Sequence, residues 1–114
     1  MARQPKPNDF RVTVPGVGDF VFGRRTMRDE IATQVEYARV LDGVTPTPWL
    51  EAVVGAMSDL SVLTVRAPDG WDIDAMDPHD PETYAKLIAA HRGLCEQERT
   101  FRSAAGQGSQ KPGA

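Results

Sequence analysis

Phe10-Arg11-Val12-Thr13-Val14, Pro15-Gly16-Val17 and Gly18-Asp19-Phe20-Val21-Phe22 form the stretch that decides the fold. Phe10, Val12 and Val14 alternate with Arg11 and Thr13, the period-two pattern of a strand with one buried face. Pro15, Gly16, Val17 and Gly18 supply turn chemistry, since glycine tolerates positive φ. After the turn, Phe20 and Phe22 share one face and Val21 takes the other. The stretch therefore predicts a β-hairpin over residues 10–22. A lone hairpin is marginal in water, so its apolar face needs the helices that follow, or a partner.

Downstream, Thr26 reads as an N-cap with Asp29 and Glu30 in the first turn, where the helix dipole favours acid. Met27, Ile31, Val35, Ala38 and Leu41 recur at helical spacing up to Asp42-Gly43, predicting a helix over 27–42. Thr47 and Pro48 open a second helix to about residue 61, with Trp49, Leu50, Val53, Val54, Met57 and Leu60 as its apolar stripe. Trp49 is expected in the core. Val62-Leu63-Thr64-Val65 fits a strand or a last helical turn, and four residues do not separate the two. Residues 67–80 hold Pro68, Gly70, Pro78 and five aspartates, the composition of a loop. Asp80-Pro81 then starts a third helix, to about residue 102, with Tyr84, Leu87, Ile88, His91, Leu94, Cys95 and Phe101 along one stripe. The expectation is a small α+β domain over residues 10–102, mostly helical: a hairpin followed by three amphipathic helices. Residues 1–9 are expected to be mobile, and the glycine-rich residues 103–114 to be disordered.

Composition sets the class. The chain has 114 residues, 40% apolar and 25% charged, which suits one soluble globular domain. No run of about 18 apolar residues is present, so no membrane span is expected. The start, MARQPKPND, has no hydrophobic segment of a secretory signal, and the expected compartment is the cytosol. The net charge is −3. That lacks the excess of positive charge from which nucleic-acid binding draws its affinity, so no nucleic-acid partner is expected. Residues 1–25 are net basic, while residues 67–82 carry six acidic groups and no basic one. A dipolar layout of this kind suits electrostatic docking to a protein, and equally a solvated acidic loop.

Chemistry-bearing motifs are scarce. Cys95 is the only cysteine, which excludes an internal disulfide and a multi-cysteine zinc cage. His79 and His91 are too far apart to make a helical ligand pair. His91 reads as a satisfied core or interface histidine, and Cys95, one turn later, as a buried thiol. Asp69, Asp72, Asp74, Asp77 and Asp80 suggest calcium, but a loop counted from Asp72 has Asp77 where glycine is needed and Thr83 where glutamate is needed. No phosphate-binding glycine loop and no nucleophile elbow occurs. Neither enzymatic activity nor a cofactor or metal is expected. The candidate partner-binding residues are Phe20, Phe22, Arg24, Arg25 and Trp71, which combine aromatic anchors with arginine forks. The arginines fit a docking patch or a salt-bridge network to the acidic loop, and Trp71 fits an exposed anchor or a plug over the core.

The order and wording of several segments resemble the tail assembly chaperones of long-tailed bacteriophages and prophages. These segments are Gly18-Asp19-Phe20-Val21-Phe22, Arg25-Thr26-Met27-Arg28-Asp29-Glu30-Ile31, Glu36-Tyr37, Val62-Leu63-Thr64-Val65 and Ala67-Pro68-Asp69-Gly70-Trp71. The likeness spans about residues 10–102. It implies a small protein of the host cytoplasm that binds the tape measure protein, brings tail tube subunits to it and is absent from the finished virion. Some members also exist as a longer product of a translational frameshift. The family offers no catalytic residues to carry over. Alternatives from other classes are a structural head–tail completion or other minor virion protein, and a small regulator such as an antitoxin. Self-association is compatible with each.

Overall fold

The computed structural model describes residues 3–109, with side chains through 105. β1 (Phe10–Val14) pairs antiparallel with β2 (Gly18–Phe22), placing Phe10 opposite Phe22 and Val12 opposite Phe20. The Val17 N–H donates to the Val14 carbonyl at 3.0 Å and closes the turn. Gly18 is required there twice over. Its φ is 138°, and a Cβ at this position would lie 2.7 Å from the Pro68 ring.

The ambiguous segment before Ala67 is both of its alternatives in succession. α2 (Pro48–Leu63) runs two residues past its expected end, and β3 (Thr64–Arg66) then pairs antiparallel with β2. The sheet order is β1-β2-β3, so β2 is central, paired along its length with β1 and at Val21 and Phe22 with β3, where the register is irregular. The Gly23 N–H extends this seam by donating to the Leu63 carbonyl at 2.8 Å.

Helix starts follow the capping signals. α1 (Met27–Leu41) opens with a capping box: Thr26 Oγ1 accepts from the Asp29 N–H, and Asp29 Oδ2 accepts from the Thr26 N–H. It closes at Asp42, whose φ of 47° is left-handed. Thr47 Oγ1 accepts from the Leu50 N–H at the head of α2. α3 (Pro81–Ser109) begins where Asp80 accepts from the Glu82 N–H at 3.0 Å. Asp72 and Asp77 likewise accept from backbone N–H groups two residues on, around a 3₁₀ turn at Ile73–Ala75. Three of the loop aspartates thus serve the local backbone.

The core lies between the sheet and α2 and α3. Phe20, Phe22, Leu60, Leu63, Leu94, Ala56 and Ala90 are fully buried in it. α3 approaches β1 at Gly93, where an added Cβ would meet Val12 at 3.0 Å. Phe101 of α3 packs edge-on against Phe10 at 5.0 Å between ring centroids.

Both ends expected to be loose carry structure within the described residues. Arg3, within the segment expected to be mobile, makes a two-pronged bond to Asp29 at 2.7 and 3.1 Å and lies over Gly23. A partly buried ion pair thus ties Arg3 to the first turn of α1. At the other end α3 continues to Ser109, seven residues beyond the expected end, so residues 103–109 of the supposed disordered tail are helical. The rest of that tail, and residues 1–2, lie outside the described residues.

Candidate functional site

The apolar stripe of α1 faces outward. Met27, Ile31 and Val35 are 77%, 60% and 63% exposed, although their spacing reads as a core face. At 3.6 residues per turn they cover an arc of about 80°, roughly opposite the buried Thr33. Three polar features hold α1 in this orientation. Thr33 and Ser58 each donate to a carbonyl of their own helix at 2.7 Å, so small, internally satisfied side chains form the α1–α2 seam. Arg3 grips Asp29, and Arg25 grips Glu30 at 3.1 Å. Val44 and Trp49, just beyond the C-terminal end of α1, are also more than half exposed. Trp49 is therefore not a core residue. It stacks on Tyr84 at 6.4 Å and walls an apolar cleft of about 320 Å³ whose floor includes Val54, Met57 and Leu87.

The residues singled out from sequence separate into different roles. Phe20 and Phe22 are fully buried and stacked on each other at 5.4 Å. They close the core and present nothing to a partner, because residues i and i+2 of β2 share the inward face of the sheet. Trp71 packs edge-on over Phe20 at 4.9 Å and is the plug of the two alternatives. Arg24 is exposed, with its guanidinium 3.8 Å from the centre of the Phe101 ring. Arg25 is largely buried and builds a network, though its anions come from the helices rather than from the acidic loop. Its Nε and one Nη donate to both Glu98 oxygens at 3.0 Å, and its other Nη to Asp59 at 3.2 Å and to Glu30.

No family model, curated protein or solved structure matches the chain.

Beside Arg25 lies a cluster that the sequence conceals. The His91 Nε2–H donates to Asp59 Oδ2 at 2.8 Å, and Cys95 Sγ sits 3.5 Å from the same nitrogen. The Asp59, His91 and Cys95 donor atoms all lie within 4.8 Å of one another. The bond to Asp59, aided by Cys95 and opposed by burial, raises the His91 pKa to about 9. Burial works against ionisation of Asp59, but His91 and Arg25 together hold its carboxyl below the usual carboxylate range. His91 is a satisfied histidine, as its place on the stripe suggests. Its thiol neighbour is half-buried and not sealed in the core. Two things were missed: the outward stripe of Met27, Ile31 and Val35, whose spacing reads as a core face, and Asp59. Asp59 belongs to a different helix, and no local spacing links it to His91.

Proposed function

We propose that this chain is a non-enzymatic tail assembly chaperone of a long-tailed bacteriophage or prophage, which binds the tape measure protein in the host cytoplasm and recruits tail tube subunits to it. One observation carries the reading: α1 directs its apolar stripe of Met27, Ile31 and Val35 away from the body of the domain. An amphipathic helix laid on such a stripe buries apolar surface at positions spaced by three and four residues. Tape measure proteins, as long helical partners, offer segments of that kind. Arg28 borders the stripe on one side, and Arg39 beside it is paired with Glu36, so the preferred segment carries an acidic residue facing Arg28. The segment order described above supports the same assignment. No helix among the described residues is long and apolar enough to cross a membrane.

Co-expression with fragments of the tape measure protein encoded beside it tests the proposal. The expected result is a stable complex with at least one helical fragment, and absence of the chain from purified particles by mass spectrometry. Stoichiometric retention in the particle would favour a head–tail completion or other structural role instead.

A further inference from the structure

We propose that Asp59, His91 and Cys95 form a zinc-binding site that staples α2 to α3. His91 and Cys95 are one turn apart on the same face of α3, and Asp59 reaches them from α2. A thiolate, an imidazole and a single carboxylate form a donor set too soft and too small for calcium or magnesium, and well suited to Zn²⁺.

The distances fit. With Zn–S near 2.3 Å and Zn–N and Zn–O near 2.0 Å, tetrahedral donors stand roughly 3.3–3.6 Å apart. Cys95 Sγ lies 3.5 Å from His91 Nε2 and 4.0 Å from Nδ1, beside the ring, so it swings in front of Nε2 to share an ion with it. The Asp59–His91 pair, drawn to 2.8 Å by the proton between them, opens by about half an ångström when an ion takes that proton's place. The side chains of His91 and Asp59 are 26% and 23% exposed, which gives the ion a path from solvent and leaves room for a water as fourth ligand.

The charge also balances. Entry of Zn²⁺ expels one proton from His91 and one from Cys95, so the net charge of the cluster is the same before and after. The surrounding ions therefore keep their places. Arg25 stays on Asp59 Oδ1, leaving Oδ2 for the metal, and is itself anchored by Glu98 and Glu30. A carboxylate ligand oriented by an outer partner is the usual construction of such sites.

Cobalt(II) titration of the metal-free full chain tests this. Expected is one bound Co²⁺ per chain with intense tetrahedral visible bands and a thiolate-to-cobalt charge-transfer band in the near ultraviolet, all bleached by Zn²⁺. Cys95→Ser, a change of one atom, should remove the charge-transfer band while the circular dichroism spectrum stays that of the folded chain. Asp59→Asn and His91→Gln should each weaken binding by about tenfold or more. Binding should strengthen as pH rises, because His91 and Cys95, flanked by Asp59, Arg25, Glu98 and Glu30, must give up their protons. A spectrum of octahedral, water-ligated cobalt in the wild-type chain would overturn the proposal. So would a charge-transfer band undiminished in both His91→Gln and Asp59→Asn, since it would report the thiol alone.

Discussion

Arg25 shows how far one side chain departs from its local signal. In sequence it belongs to a basic run beside Arg24; in the fold it is the hub of three carboxylates on α1, α2 and α3. Removing it leaves Glu98, only 9% exposed, without its counter-charge. Arg25→Ala should therefore cost about 2–4 kcal/mol in denaturant unfolding, because a buried ion stripped of its partner keeps its desolvation penalty. Arg24→Ala, which loses an exposed cation–π contact, should cost less than about 1 kcal/mol. Equal effects of the two changes would contradict this division of roles. His91 gives the pH signature. Its pKa is raised from 6.5 to about 9 in the fold, so the stabilisation is complete below about pH 6.5 and is lost as pH rises through 9. In metal-free protein, stability should fall over that window by an amount on the order of 2 kcal/mol, and the fall should vanish in His91→Gln.

At the scale of elements, what was legible had local causes. The hairpin rests on period-two alternation and two glycines, and each helix start on a hydroxyl or carboxylate cap, so these were readable within a few residues. The orientation of α1 was not readable. Its most regular apolar stripe faces out, and the helix is held by Thr33 and by ion pairs from Arg3 and Arg25, partners that no periodicity reveals. Asp59 joined His91 and Cys95 for the same kind of reason, across two helices. Helix packing also separates two glycines that look alike in sequence. Gly55, in the interior of α2, has no atom within 4 Å of an added Cβ, whereas Gly93 of α3 faces Val12 at 3.0 Å. Gly55→Ala should stabilise the protein by about 0.5–1 kcal/mol through helix propensity. Gly93→Ala should gain less than that or destabilise, since the contact with β1 must give way. Thermal unfolding of the two variants side by side checks the ordering.

The whole molecule extends 54 Å along its longest axis. α3, at 29 residues, supplies about 43 Å of helix and so sets that length. One side of the body is sealed by the sheet, with Phe20, Phe22 and Trp71 stacked into the core. The other side carries α1, whose stripe contributes little to the folded domain. That asymmetry is the physical basis of the chaperone proposal: a stable platform on one side and an apolar helix face on the other. Changing the stripe should therefore separate stability from binding. Exposed substitutions away from packed features usually shift stability by no more than about 0.5 kcal/mol. The same residues at the centre of a helix–helix interface would be expected to carry about 2 kcal/mol or more of binding. The decisive measurement is calorimetric titration of a helical tape measure fragment into the wild-type chain and into the Ile31→Asp, Val35→Asp double variant. The predicted result is a melting temperature close to that of the wild type together with at least a thirtyfold loss of affinity, roughly the equivalent of 2 kcal/mol. Undiminished binding by the folded double variant would contradict the assignment of α1 as the docking face.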